Sequence, residues 1–384
     1  MRFKFPEVKK RLAKKSQKET NSLVATKKKL ALGLVLSIAG IAIICAALLW
    51  PQPKEKTSAN PAAVMSTVDN CAASSNVTYS CYKKQLSDIT NAKGPEAAMA
   101  LVKKEYNTSS YVKSQCHQLT HVIGRAALNK YKSVAETYAH GDQFCWSGYY
   151  HGAMEEVALN NGYNYLVKNV NEICKPIAAK GEYSFYHYNC VHGLGHGFMF
   201  VKNGDLFASL TSCDALTNDW ERTSCYGGVF MQNIMNEQTP DNTAKVGSQY
   251  LKADQPMYPC TAVDYKYKDQ CYLMQTSYAL QTVNYDFNKV FTLCSQVDTD
   301  FKDTCYTSLG RDASGNSVSN VDTTRHTCLL GPTEEAQKYC VHGAAMDFVS
   351  YFHSNTQANQ LCNSLPANLS ADCLSVVKNY YATF

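Results

Sequence analysis

The 384-residue sequence predicts a mostly α-helical protein: an N-terminal transmembrane helix, then an external array of αα-hairpin repeats, solenoid-like and stapled by disulfides. Three observations predict it. A charge-free apolar run near the N-terminus is long enough to cross a bilayer. Seventeen cysteines are present, most of them in pairs 10 to 16 residues apart. The second member of each pair opens an apolar, helix-patterned stretch, and these recur at intervals near 35 or 45 residues. Alternating strand patterns are scarce.

Residues 1–29 carry eleven Lys and Arg against Glu7 and Glu19, a charge of +9. The whole chain sums to +5, so the remainder is −4. The basicity is a tail, which argues against a nucleic-acid groove in the main body. A basic cytoplasmic tail sets topology and is drawn to anionic lipid headgroups.

Residues 30–50, LALGLVLSIAGIAIICAALLW, hold no charge over 21 positions. About 20 helical residues cross a ~30 Å hydrocarbon layer, so membrane lipid is the expected partner of this segment. Lysines precede it, which predicts a single-pass protein of the plasma membrane with its N-terminus inside and residues 51–384 outside. A cleaved signal peptide has a shorter apolar core and a small-residue cleavage site. Here Trp50-Pro51-Gln52-Pro53 follows instead, so the run reads as an uncleaved signal-anchor. Cys45 within it reads as apolar filler. Residues 51–70, with Pro51, Pro53 and Pro61, read as a flexible linker. The folded domain is expected at 71–384.

Sixteen cysteines remain outside, and an oxidising location turns an even number into up to eight disulfides. The pairs are Cys71–Cys81, Cys174–Cys190, Cys213–Cys225, Cys260–Cys271, Cys294–Cys305, Cys328–Cys340 and Cys362–Cys373. Cys116 and Cys145, 29 apart, break the spacing and are candidates to pair across a whole hairpin. A helix is expected to end near each first cysteine and the next to begin at the second. Each short disulfide loop contributes on the order of 3 kcal/mol in the chain-entropy model. A single hairpin cannot bury its apolar stripe, but a stack can. The period suits helix–turn–helix solenoids. The tetratricopeptide and ankyrin patterns are both missing, so the repeat points to an architecture rather than a family.

Aligned on the second cysteine, the copies place Gly148, Gly193, Gly228 and Gly343 three positions on. Six positions on stand His151, His196, Met231, Ser277, Arg311 and Met346. These positions share one helix face. A mid-helix glycine costs roughly 1 kcal/mol against alanine, so its use implies close approach by a neighbouring helix or a ligand.

Three successive helical stretches add pairs one turn apart: His117 with His121, His151 with Glu155, and His192 with His196. This i,i+4 spacing aims two ligands at one point, as in zinc-binding helices. These six residues are the candidate metal ligands, and a nitrogen-rich set suits a divalent Zn, Cu or Fe ion. Glu155, or Glu156 beside it, is the candidate general base next to a metal-bound water. The competing reading is structural: buried histidines donating to carbonyls and multiplied with the repeat, as His342 in CVHGAAMD suggests. His140, His187, His326 and His353 read as surface residues, and Met231 and Met346 as core.

No nucleophile elbow, phosphate loop, dinucleotide motif or haem-attachment motif is present. The expected function is therefore binding or interaction at the cell envelope, with a protein or ligand partner on the repeat surface and a histidine-rich metal site. A metal-dependent hydrolase is the alternative, and a structural surface protein or adhesin the third reading.

Overall fold

The computed structural model describes Cys71 and residues 78–177, 184–238, 248–317 and 319–383. The basic tail, the apolar run at 30–50 and the linker lie outside the described residues. Among the described residues no helix is long and apolar enough to cross a membrane.

The described residues form helices and connecting turns, with no strands. Helix α1 (Tyr79–Lys93) starts where the Thr78 hydroxyl accepts from the Cys81 amide. Gly94 then turns the chain at φ 95°, and Pro95 opens α2 (Pro95–Tyr106). Four long helices follow: α3 (Ser110–Tyr131), α5 (Gly148–Lys168), α6 (Phe185–Val201) and α8 (Asp219–Gln238). Short helices α4 (Val134–Ala139) and α7 (Leu206–Cys213) stand between them. The second half repeats the plan. Its long helices are α9 (Tyr265–Thr282), α11 (Lys302–Asn316), α13 (Glu334–Phe352) and α15 (Ala367–Tyr381). Its short ones are α10 (Phe287–Ser295), α12 (Val321–Cys328) and α14 (Thr356–Asn363). Each long helix packs on the next, and each short helix of this half packs on the long helix that follows it.

All eight expected cystines are in place, Cys116–Cys145 included. The helix starts differ from the expectation. Cys340 lies inside α13, which begins at Glu334, and Cys373 lies inside α15, which begins at Ala367. The polar residues between paired cysteines act as caps rather than as a long loop. Thr333 accepts from the Ala336 amide, and Glu334 and Glu335 occupy the first turn of α13, where they favour the positive helix end.

The recurring glycine serves helix–helix approach. A Cβ on Gly228 would sit 1.9 Å from the His192 carbonyl oxygen, and one on Gly343 1.8 Å from that of Thr307. Tyrosine fills much of the core: Tyr82, Tyr149, Tyr150 and Tyr272 are fully buried.

The array does not stay open. The Trp146 indole donates to Asp347 Oδ1 at 3.1 Å, and its ring meets Tyr351 at 5.6 Å. The Phe185 ring meets His353 at 6.3 Å. A small rotation repeated at every helix step curls the stack, and here it brings α13 back to the start of α5 and α6. The four surface readings divide, with His140 partly buried. His326 and His353 are exposed, but His187 is buried, with its ring on Trp220 and Nε2 3.1 Å from Glu221.

Candidate metal centre

Three consecutive long helices deliver the histidines. His117 and His121 lie one turn apart on α3, His151 and Glu155 on α5, and His192 and His196 on α6. Glycine sets how close the helices come. A Cβ on Gly152 would lie 2.1 Å from the His121 carbonyl oxygen, so α5 seats its backbone on α3 beside the rings.

The three pairs meet. The ring centres of His117 and His121 are 4.7 Å apart, those of His151 and His192 4.8 Å, and those of His151 and His196 4.8 Å. His121 and His196 stand 5.7 Å apart. One nitrogen from each of His117, His121 and His151 lies within 4.8 Å of the others, and the same holds for His151, His192 and His196. Two three-histidine sets thus share His151. His121, His151, His192 and His196 are buried, and His117 is partly buried.

Hydrogen bonds fix three of the rings. His117 Nδ1 donates to the Cys145 carbonyl at 2.8 Å, His121 Nδ1 to Glu155 Oε1 at 2.7 Å, and His196 Nδ1 to Gln232 Oε1 at 2.6 Å. A carbonyl or a carboxylate only accepts, so each Nδ1 carries the proton. Gln232 is oriented in turn by donating to Asn236 Oδ1 at 2.7 Å. In the neutral rings the proton-free atom is then Nε2. The Nε2 atoms of His117 and His121 stand 3.1 Å apart, within hydrogen-bond distance of each other. Unpartnered nitrogens surround this pair: Nδ1 of His151 and Nε2 of His196. Neither nitrogen of His192 makes a well-formed hydrogen bond, although the Ser224 main chain lies beside it.

The electrostatics favour neutral rings. Burial, with neighbouring imidazoles adding to it, pushes His117 down to about 3 and His196 to about 4. The same causes hold His151 and His192 well below the usual histidine range. Burial alone would raise the Glu155 carboxyl, but His121 and Arg125 overcome it and hold Glu155 at about 2. Arg125 Nη1 is 3.2 Å from Glu155 Oε2. The centre therefore offers neutral imidazoles at His117, His151, His192 and His196, one carboxylate bonded to His121 and a guanidinium on that carboxylate. Oriented imidazole donors backed by carbonyl, carboxylate and amide acceptors are how proteins prepare metal ligands.

The remaining candidates sit elsewhere. Glu155 Oε1 lies on His121 Nδ1 and 3.9 Å from His196 Nδ1, and the two three-residue sets consist of histidines. The Glu156 carboxylate faces away and accepts from Asn129 at 2.6 Å. His342 bonds Asp372 at 2.8 Å on α13. Met231 is partly buried rather than core.

Sequence reasoning did not name Gln232, Arg125 or the Cys145 carbonyl. Gln232 stands seven positions after Cys225, on the same repeat face, so the alignment held a signal for it. The Cys145 carbonyl left none. It is aimed by three consecutive left-handed residues, Cys145, Trp146 and Ser147, at φ 60°, 52° and 62°. Such φ values strain non-glycine residues and concentrate at functional sites.

No family model, curated protein or solved structure matches the chain.

Proposed function

We propose that the protein is a membrane-anchored, extracytoplasmic metal-binding protein, whose five-histidine centre holds a divalent ion of the Zn, Cu or Fe group. One observation carries the reading: five imidazoles converge as two three-histidine sets that share His151, each set with its nitrogens within 4.8 Å of one another. A proton shared between the Nε2 atoms of His117 and His121, 3.1 Å apart, is the competing occupant. It would satisfy that pair, but not the orphaned nitrogens of His151 and His196. Each buried polar atom without a partner costs about 1–3 kcal/mol. A metal ion coordinated by the cluster offsets that cost at several atoms together.

The ion class follows from the donors. The external cysteines are consumed in disulfides, so thiolates do not compete, and imidazole suits Zn, Cu and Fe. Eight cystines fit an oxidising compartment, and the charge-free run at 30–50 behind a lysine-rich tail supports anchoring with the domain outside. Partner binding at the repeat surface is the broader role this centre would serve.

Elemental analysis of the full-length chain, expressed in metal-supplemented medium and dialysed, tests the reading. At least one equivalent of a single transition metal is expected, lost in a variant combining His121→Ala with His151→Ala. Metal-free protein with both imidazole clusters still folded, or unchanged metal in that variant, would overturn it.

A further inference from the structure

A cavity of about 380 Å³ lies against the centre, and His117 belongs to its wall. Of the five histidines His117 is the one not fully buried, so the cavity meets the cluster at that ring. The six-on row of the repeat runs from one to the other. His151 and His196 take the row's first places within the cluster, and Met231, Ser277 and Arg311 continue it as cavity lining.

The lining has a definite chemistry. Trp146, Met231, Met235 and Met274 make one side apolar and polarisable. The charged pair in the wall is internally compensated. Arg311 Nη2 bonds Asp312 Oδ1 at 3.0 Å and its Nη1 bonds the Leu273 carbonyl at 2.8 Å, while Thr276 donates to Asp312 Oδ2 at 2.5 Å. A charged ligand would find no uncompensated counterion in these groups. An uncharged one would find thioethers, an indole and the Ser277 hydroxyl. The volume falls in the range of small-molecule sites.

We propose that the metal centre takes a small, uncharged, amphipathic ligand through this cavity. The ligand's nitrogen or oxygen donor reaches the metal past His117, and its apolar body rests on the Trp146–methionine wall. The inference rests on the metal reading and extends it: the centre is open to an outside ligand rather than closed and structural.

Cobalt-loaded full-length protein, titrated with benzimidazole and followed by its visible cobalt bands, tests this. Benzimidazole is neutral at pH 7, amphipathic and a nitrogen donor. A saturable band shift is expected. Gly315 supplies the control, because a Cβ there meets only the Trp146 ring, at 3.9 Å, and a larger side chain would enter the cavity. Gly315→Phe is expected to bind cobalt as the parent does and benzimidazole at least about tenfold more weakly. Ser277→Leu narrows the same cavity from α9 and is expected to act alike. Cobalt bound but unmoved by saturating benzimidazole, or both variants binding it as tightly as the parent, overturns the proposal. A chain that takes up no cobalt overturns the metal reading beneath it, and this inference with it.

Discussion

The two halves of the helical domain are built alike but bury different polar groups: a cluster of imidazoles in the first, hydroxyls and a carboxylate in the second. In the second half, α11 and α13 pack as α3 and α5 do, with the same kind of glycine contact: a Cβ on Gly310 would lie 1.8 Å from the Cys340 carbonyl oxygen. Several of its inner polar side chains satisfy one another. Thr276 donates to Asp312, Ser308 donates to the Leu273 carbonyl at 2.6 Å, and Arg311 Nη2 reaches Ser308 at 3.3 Å. Asp347 accepts from Trp146, but its Oδ2 and the Ser314 hydroxyl make no well-formed hydrogen bond. The first half, on the same frame, leaves imidazole nitrogens of His151, His187, His192 and His196 without well-formed partners. Orphaned polar atoms thus occur in both halves, but the first half gathers several of them as imidazole nitrogens in one cluster.

Acid should separate the halves most strongly. The folded-state values of His117, His151, His192 and His196 lie below the ordinary 6.5, so below that pH the unfolded chain binds protons that the folded chain refuses. Their contribution to stability is complete above about 6.5 and is lost as pH falls toward 4 and 3, at about 1.4 kcal/mol per pH unit for each histidine. Asp347 acts the other way. Burial raises it to about 6, so the folded state keeps a proton that the unfolded state releases, and its contribution grows as pH falls from about 6 to 3.8. Hydrogen exchange on metal-free protein is expected to show α3, α5 and α6 losing protection at pH 4.5 while α11, which carries no histidine, keeps its own. Uniform loss along the chain would erase the contrast.

Disulfide removal should not separate the halves. Replacing Cys213 and Cys225 by alanine, or Cys294 and Cys305, opens loops of 12 and 11 residues. Each replacement is expected to cost about 3 kcal/mol in denaturant unfolding. A cost confined to one half would mean that the shared frame is not equally supported.

Single side chains should then differ in sign. Thr276→Val removes a donor from a satisfied network and leaves Asp312 short, a loss of about 1–3 kcal/mol. His192→Leu in metal-free protein removes two unpartnered nitrogens from the interior, so it should be neutral or stabilising, as replacing buried unsatisfied groups with apolar ones often is. The same substitution should cut metal content. Chemical denaturation with and without bound metal reads both effects, and a metal-free His192→Leu protein that is much less stable than its parent would return the histidines to a structural role.

Local information in the sequence carried much of this. Cysteine spacing marks out the pairs without fixing their connectivity, and i,i+4 spacing marks the five histidines because one turn of helix is a local property. Helix starts were misjudged where Thr333 and its following acids resembled loop sequence. Ring closure through Trp146 and Asp347, the convergence of three histidine pairs, and the cavity beside His117 arise from contacts between distant segments, which leave no periodic trace.

The smallest expected effect bears on the partner that sequence reasoning passed over. Gln232 holds His196 by accepting from Nδ1 at 2.6 Å, and it reaches the first-half cluster from α8, the next helix in the stack. If it only fills space, Gln232→Leu should change stability slightly and leave metal binding alone. If it fixes the tautomer that leaves Nε2 free, its loss should weaken metal affinity about 10- to 100-fold, the usual cost of removing such a backing partner. Gln232→Glu should separate orientation from packing, because a carboxylate still accepts from Nδ1 and should restore affinity. Competition with a chromophoric chelator measures all three proteins on one scale. Equal affinities would place Gln232 with the self-satisfied polar residues of the second half rather than with the centre.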